Sequence, residues 1–180
     1  MERLIFSGFG GQGILTLGQV VAIMAMNKGE NVTWMPSYGA EMRGGTANCS
    51  VIISDNLIGS PIVSNNITTL IAMNNPSFDK FIDRVSLDGN VIVNTSMVKN
   101  FKSDKVKIYE VDATNMASKL GNIKVQNMVM LGAYIGVLKN FSISDVEAVL
   151  VGKFLNKKNG DAMIKINMEA VKVGMDEVNN

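Results

Sequence analysis

The stretch that decides the fold is FSGFGGQGILTLGQ, residues Phe6 to Gln19. A short apolar strand, Glu2 to Ser7, leads into it, and apolar residues recur at helical spacing after Gly13. A glycine-rich turn between a strand and a helix lets an anionic group approach the main chain, because the amides at the helix start point at it. The stretch therefore predicts the beginning of an α/β fold with a phosphate-binding turn. Tight packing of the strand against the helix is the alternative use of such glycines.

Composition limits the classes of protein to consider. The 180 residues are 47% hydrophobic and 18% charged, which predicts a single domain over residues 1–180 with one core. The net charge of +1, without a long charge run, indicates neither nucleic acid nor a membrane surface as partner. Cys49 is the only cysteine and histidine is absent, which excludes intrachain disulfides, cysteine-ligated clusters and histidine-based zinc sites. An unpaired cysteine without a secretory segment favours a cytoplasmic location.

Hydrophobic patterning predicts the remaining elements. Further strands are expected at Asn31 to Met35, Asn48 to Ser54, Leu57 to Val63, Thr69 to Asn74, Asn90 to Ser96 and Lys105 to Val111. Helices are expected at Pro76 to Val85, Asp112 to Gly121, Val125 to Leu138, after the capping-box pair Ser144 and Glu147, and from Gly160 onwards. The strand at Leu57 to Val63 is expected to form a hairpin with the strand before it. The pattern predicts a Rossmann-like three-layer α/β domain with a mostly parallel, partly mixed sheet.

The glycine segment, Gly8 to Gly13, fits two kinds of ligand differently. Gly8, Gly10 and Gly13 have the G-x-G-x-x-G spacing of dinucleotide sites, and Gly11 adds another residue without a side chain. In such sites an acidic residue at the end of the second strand binds the ribose, but Val32 to Met35 contains none. No Lys-Ser or Lys-Thr pair follows the glycines either, which excludes a Walker loop. The segment therefore predicts a phosphate-bearing ligand other than a nicotinamide dinucleotide.

A second candidate is the loop PSYGAEMRGGTA, Pro36 to Ala47. It leaves the carboxyl end of the second strand, at the edge where the glycine segment lies, so both should face one crevice. Arg43 is suited to bidentate binding of a phosphate or carboxylate, and Glu41 to orienting it. The other candidates in this loop are Tyr38, Gly44 and Gly45. The alternative is a surface ion pair in a long loop.

Single polar and small residues give weaker signals. Asn74 follows a buried strand, so it either faces the same crevice or closes a turn. Asn127 lies in an otherwise apolar helix and must find a hydrogen-bond partner. Gly132 and Gly136 lie one turn apart and predict a close neighbour. No residue is predicted to transfer protons, to form a covalent intermediate or to bind a metal.

Four segments together resemble a known family. GFGGQGILTLGQ, NVTWMPSYGAEMRGGTANCSVIIS, LIAMNNPSFDKF and NMVMLGAYIG closely resemble the gamma subunits of 2-oxoacid:ferredoxin oxidoreductases, most like the 2-oxoglutarate type. The resemblance implies a multi-subunit enzyme that decarboxylates a 2-oxoacid, forms its acyl-coenzyme A and reduces ferredoxin. It also implies alpha and beta subunits that hold thiamine diphosphate with magnesium, 4Fe-4S clusters on partner subunits, and a ferredoxin-like delta subunit.

The resemblance further implies a coenzyme A site shared between chains. Carried over by motif, Gly8, Gly10, Gly11 and Gly13 would approach the phosphates of coenzyme A or a neighbouring subunit. Tyr38, Glu41, Arg43, Gly44 and Gly45 would form the facing loop, with Asn74 beside it. The alternatives are an assembly module without a ligand, or a gamma subunit for branched-chain 2-oxoacids or pyruvate. The methionine-rich chain is expected to form a homodimer when isolated.

Overall fold

The structure, a computed structural model, describes residues 1–37 and 46–179. These residues form six strands and six α-helices. The strands are β1 (Glu2–Phe9), β2 (Asn31–Ser37), β3 (Thr46–Ser54), β4 (Ile67–Ala72), β5 (Val85–Asn94) and β6 (Lys107–Val111). The helices are α1 (Ile14–Asn27), α2 (Asn75–Phe81), α3 (Ala113–Lys119), α4 (Gln126–Leu138), α5 (Ile143–Phe154) and α6 (Gly160–Asn179). Within these ranges, no helix is both long enough and apolar enough to cross a membrane.

The strands form one sheet in the order β2-β3-β1-β4-β5-β6. β4, β5 and β6 run parallel to β1, whereas β3 runs antiparallel to both β1 and β2. The predicted α/β fold with a mixed sheet is therefore confirmed. β1 and β4 are neighbours, but the chain leaves them towards opposite edges of the sheet. Their carboxyl ends thus enclose a topological switch point, the place where open α/β sheets bind ligands.

Helices cover the two faces of this sheet unequally. α1 and α3 to α6 pack on one face, over a core that includes Phe6 and Tyr134. On the other face, α2 and the 3₁₀ turn Ile82–Arg84 cover a smaller core that includes Ile5 and Phe78. The larger core fixes α1 and α4 over the switch point, and both helices begin there.

α4 and α6 cross at very short distance. A methyl group at Gly132 would lie 1.9 Å from the carbonyl oxygen of Val171, and one at Gly174 would lie 1.9 Å from that of Val129. The prediction that Gly132 admits a close neighbour is confirmed, and the neighbour is α6. This crossing holds α4 in place, so it also fixes the first turn of α4 at the switch point.

Two local predictions are wrong. Residues 57–63 form no strand, because β3 already pairs with β2 on one side and β1 on the other and offers no free edge for a hairpin partner. The capping box of α5 consists of Ser142 and Asp145, not Ser144 and Glu147. The Asp145 N–H donates to Ser142 Oγ at 3.2 Å, and the Ser142 N–H donates to the Asp145 carboxylate at 2.7 Å. An aspartate thus replaces the glutamate that the spacing predicts, and the helix begins two residues earlier.

Candidate functional site

The glycine segment turns the chain from β1 into α1 at the switch point. Gly11 and Gly13 have φ values of +92° and +74°, a left-handed conformation that strongly favours glycine. Gly13 is the N-cap of α1, no side chain caps this helix start, and its first turn contains no acidic residue. The amides at the start of α1 are therefore available to an anion, which the helix dipole also favours.

The four glycines divide into two pairs. Gly10 and Gly11 are exposed, and a methyl group on either would meet none of the described residues within 4 Å. A methyl group on Gly8 would lie 2.7 Å from Gln12 Oε1, and one on Gly13 would lie 2.6 Å from Asn127 Nδ2. Gly8 and Gly13 therefore serve packing, as one alternative from the sequence predicts, whereas Gly10 and Gly11 leave their main chain open; contact with a phosphate stays a prediction.

Gln12 joins the ends of β1 and β4 beneath this open surface. The Phe9 N–H donates to Gln12 Oε1 at 2.6 Å, and Gln12 Nε2 donates to the Met73 carbonyl oxygen at 3.3 Å. The Gln12 N–H in turn donates to the Phe9 carbonyl oxygen at 3.2 Å, which closes the turn. The side chain thus satisfies main-chain groups on two neighbouring strand ends.

Asn74 supports Gln12 from the side of α2. Its Oδ1 accepts a hydrogen bond from the Ser77 N–H at 2.9 Å and so caps α2, while its Nδ2 donates to Gln12 Oε1 at 3.4 Å. The side chain is only 1% exposed. Asn74 therefore does close a turn, as one alternative predicted; contact with a ligand stays a prediction.

Asn127, in the first turn of α4, contacts the glycine segment from the other side. Its Nδ2 donates at 3.1 Å to the Gly13 carbonyl oxygen, which also accepts the first hydrogen bond of α1, from the Leu17 N–H at 3.0 Å. The partner that a polar residue in an apolar helix requires is therefore the main chain of the turn. The sequence shows that Asn127 needs a partner but cannot identify one so far away in the chain.

A cleft of about 450 Å³ opens beside Gly13 and Thr16, between α1 and the ends of α4, α5 and α6. Its lining includes Lys124 and Lys153 but no carboxylate. Burial, and repulsion from Lys157, lower the pKa of the Lys153 ammonium group. The cleft therefore offers two cations next to an uncapped helix start, a combination suited to phosphate groups. Sequence reasoning missed both lysines, because nothing in the local sequence connects them with the glycines.

The loop predicted after the second strand, Pro36 to Ala47, is called the second-strand loop and lies partly outside the described residues. Tyr38, Glu41, Arg43, Gly44 and Gly45 all belong to that part. Its flanking strands are described: β3 begins at Thr46, opposite Phe9, and β2 ends at Ser37, opposite Asn48. The loop thus starts and ends at the same edge of the sheet as the glycine segment, as predicted.

Cys49 does not belong to a reactive site. It is fully buried, its Sγ donates to the Ile14 carbonyl oxygen at 3.6 Å, and burial raises the pKa of its thiol to about 12. Because thiolates are the nucleophiles and metal ligands, this side chain is inert at neutral pH.

Comparison with known proteins identifies the family. The family model for pyruvate ferredoxin/flavodoxin oxidoreductase matches residues 3–177. The ketoisovalerate oxidoreductase subunit VorA of Methanothermobacter thermautotrophicus is 42% identical over 130 residues, or 72% of this chain and 27% of that protein. The chain thus spans about a quarter of this relative's length. The 2-oxoglutarate synthase subunit KorC of Methanocaldococcus jannaschii is 33% identical over 137 residues, which cover 73% of this chain and 72% of KorC.

A solved structure shows the same fold. The 2-oxoglutarate:ferredoxin oxidoreductase of Magnetococcus marinus, with 2-oxoglutarate, coenzyme A and succinyl-CoA bound, superposes with a TM-score of 0.87 at 22% identity. The match covers 99% of this chain and 31% of the other. From the family match over nearly its whole length and its similarity to these subunits, the chain belongs to the pyruvate ferredoxin/flavodoxin oxidoreductase family.

Proposed function

We propose that this chain is the gamma subunit of a 2-oxoacid:ferredoxin oxidoreductase and forms one wall of a coenzyme A site shared with its partner chains. The observation that carries the proposal is the open main chain at Gly10 and Gly11, next to the uncapped start of α1. The names of the relatives, and the coenzyme A bound in the Magnetococcus marinus enzyme, support it.

Coenzyme A has the chemistry that these residues suit. Its diphosphate can approach glycine main chain and helix amides closely, and its further phosphate adds charge that Lys124 and Lys153 can balance. Unlike a nicotinamide dinucleotide, it does not require a ribose-binding carboxylate at the end of the second strand. The described end of β2, at Met35 to Ser37, has no such carboxylate.

This chain would bind and orient coenzyme A, and partner chains would perform the redox chemistry. A cysteine-ligated cluster requires several thiolates, and the single cysteine here is buried and protonated. We therefore assign thiamine diphosphate, magnesium and 4Fe-4S clusters to alpha, beta and delta partners. Thiamine diphosphate supplies the electron sink for decarboxylation, and the clusters carry the electrons. A cytoplasmic location stays a prediction.

The 2-oxoacid is proposed to be a branched-chain one. The identity to VorA, 42%, exceeds the 33% identity to KorC, which favours ketoisovalerate over the 2-oxoglutarate that the sequence resemblance favoured. Assays of the purified complex with ketoisovalerate, 2-oxoglutarate and pyruvate would test this. The highest kcat/KM with either of the other two acids would contradict it.

The coenzyme A site is tested most cleanly at Gly10. Its φ is not positive and a methyl group there meets none of the described residues within 4 Å, so we expect Gly10→Val to fold. If the ligand approaches this main chain, the added side chain blocks it and coenzyme A should bind about tenfold more weakly to the assembled complex, a loss of about 1.4 kcal/mol. Gly59→Val, also in open space but after β3, is the matched control. Unchanged affinity in a folded Gly10→Val complex would refute the site.

Tight packing at Gly8 and Gly13 favours a second candidate, an assembly module in which the glycines bind no ligand. On that proposal the second-strand loop docks a partner chain. Arg43→Ala should then weaken the association of the subunits and leave the coenzyme A affinity of the remaining complex intact. A loss of coenzyme A affinity without a loss of assembly would favour the first proposal instead.

A further inference from the structure

Gln12 is the only residue of the glycine segment whose side chain forms hydrogen bonds with both neighbouring strand ends. We propose that Gln12 is a positioning residue: it holds the glycine segment in the shape that leaves Gly10 and Gly11 open to coenzyme A. This inference rests on the proposed function, because it concerns the same ligand. It adds a residue that does not touch the ligand itself and acts by positioning the main chain that would.

The first step of the argument is the reciprocal bonding of Gln12 with Phe9. The Gln12 N–H donates to the Phe9 carbonyl oxygen at 3.2 Å, and Gln12 Oε1 accepts from the Phe9 N–H at 2.6 Å. These two bonds close a ring around Gly10 and Gly11. The conformation of the two open glycines is therefore set by the residues that flank them, and none of the described residues lies within 4 Å of a methyl group added to either.

The second step is the anchoring of Gln12 to β4. Its Nε2 donates to the Met73 carbonyl oxygen at 3.3 Å, and Asn74 Nδ2 donates to its Oε1 at 3.4 Å. Asn74 is itself held by the Ser77 N–H at 2.9 Å, and Ser77 Oγ accepts from Ser7 Oγ at 2.9 Å. The turn is thus tied to buried groups on both strands of the switch point.

The third step explains the absence of a side chain at Gly8. A methyl group there would lie 2.7 Å from Gln12 Oε1 and 2.8 Å from Met73 Cβ, so it would occupy the space in which Gln12 reaches β4. Gly8 therefore serves the placement of Gln12 and not the ligand. Among the described residues, this is the only glycine whose nearest obstructing atom belongs to Gln12.

The uncharged amide of Gln12 meets requirements that neither a carboxylate nor an apolar side chain meets. The side chain must accept from the Phe9 N–H and donate to the Met73 carbonyl oxygen at the same time. A carboxylate can accept but not donate, and its charge would repel a phosphate at the neighbouring helix start. An apolar residue of the same size would leave both main-chain groups without this partner.

The test compares two substitutions of Gln12 in the complex assembled with its partner chains. Gln12→Leu removes all three hydrogen bonds of this side chain, and we expect a KM for coenzyme A about tenfold higher, with the KM for the 2-oxoacid unchanged. Gln12→Glu keeps the bond from the Phe9 N–H and adds a charge, so its KM for coenzyme A should rise too. That rise should shrink as salt screens the repulsion, a dependence that a purely structural role would not produce.

Asn140→Leu is the matched control. Asn140 is also a partly buried amide, but its Nδ2 donates to Tyr134 Oη at 2.9 Å and to the Glu2 carboxylate at 3.3 Å, at the opposite end of β1 from the glycine segment. This variant should lose stability without a change in the KM for coenzyme A. Gln12→Leu and Gln12→Glu complexes with the wild-type KM for coenzyme A would overturn the inference. If Gly10→Val raised that KM while both Gln12 variants did not, the coenzyme A site would stand and the positioning role would fall. If Gly10→Val had no effect, the proposed coenzyme A site itself would fail.

Discussion

The two ends of β1 are held by different chemistry. At the carboxyl end, uncharged amides position the glycine segment: Gln12 contacts the ends of β1 and β4, and Asn127 contacts the turn from α4. At the amino end, the Glu2 carboxylate accepts hydrogen bonds from Tyr134 Oη at 3.4 Å and from Asn140 Nδ2 at 3.3 Å. As far as the described residues show, the carboxyl end is open on its outer side, whereas the amino end is closed over a buried phenol.

This difference suits one strand to combine a proposed binding end with a structural end. A negative charge near the glycine segment would repel an anionic ligand, and among the described residues no carboxylate contributes to the hydrogen-bond network there. At the amino end no ligand is proposed, and a carboxylate is tolerated although burial raises its pKa. α4 joins the two ends, since its first turn carries Asn127 and its last turns carry Tyr134.

The largest loss of stability is expected at the crossing of α4 and α6, because both ends of β1 depend on this contact. A methyl group at Gly174 would lie 1.9 Å from the Val129 carbonyl oxygen, so Gly174→Ala must separate the two helices. We expect the free energy of unfolding to fall by about 3 kcal/mol or more, the upper range for overpacking. Chemical denaturation would measure it.

Gly152→Ala is the control for this substitution. Gly152 lies in α5, and a methyl group there meets nothing within 4 Å. Because alanine favours a helix by up to about 1 kcal/mol over glycine, this variant should be neutral or slightly more stable. Equal stability of the two variants would contradict the assignment of α4 as the element that holds both ends of β1.

The next largest loss of stability is expected for a change that affects the carboxyl end of β1 alone. Gly13 has a φ of +74°, and a methyl group there would lie 2.6 Å from Asn127 Nδ2. Gly13→Ala should therefore cost the conformational strain, about 1 kcal/mol, and also the hydrogen bond from Asn127, for a total of about 3 kcal/mol. Thermal and chemical unfolding would measure the loss.

Gly121→Ala separates these two contributions. Gly121 has a similar φ of +84° but open space around it, so it should show the strain alone. If both variants lost the same free energy of unfolding, the contact of Asn127 with the turn would contribute nothing. The carboxyl end of β1 would then depend on Gln12 without support from α4.

The sequence predicts this architecture where its signals are local. β1, the glycine segment and α1 follow each other within the first 27 residues, and each has its own pattern of apolar residues or glycines. The prediction of a hairpin after β3 is wrong because strand pairing depends on which strands already occupy the two edges of β3. The local sequence pattern contains no information about those strands. The same apolar residues that indicated a strand, Leu57 and Ile62, are 89% and 63% exposed.

The site was predictable only in outline. The sequence places four glycines at the switch point but cannot show that Gly10 and Gly11 are open while Gly8 and Gly13 are packed. That division depends on side chains that approach from other elements, and Asn127 lies 114 positions from its partner Gly13. Spacing rules describe neighbours along the chain, whereas positioning at this site occurs across it.

The smallest effect is expected at the amino end, where Glu2→Gln removes the buried charge. Burial, and to a lesser extent the nearby charge of Glu30, raise the pKa of Glu2, while hydrogen bonds from Asn140 and Tyr134 and the charge of the N-terminus lower it without reversing the shift. The folded chain therefore holds this proton more tightly than the unfolded chain. The stabilisation of the folded chain by its protonated Glu2 is fully present below the ordinary pKa of 4.5, and it is lost as pH rises through the folded-state pKa.

Glu2→Gln should accordingly be more stable than the unaltered chain at pH 7, and the difference in Tm should shrink towards pH 4. The glutamine keeps an acceptor for Asn140 Nδ2 and adds a donor for Asn140 Oδ1, a buried atom that has no partner among the described residues. Glu177→Gln, on an exposed position of α6, removes the same charge and should show no such trend. A Glu2→Gln chain that is less stable at pH 7 would mean that the charge at the amino end of β1 is a net stabilising partner. The two ends would then differ only in the space outside them, and the absence of a carboxylate from the described hydrogen bonds of the glycine segment could no longer be linked to its proposed ligand.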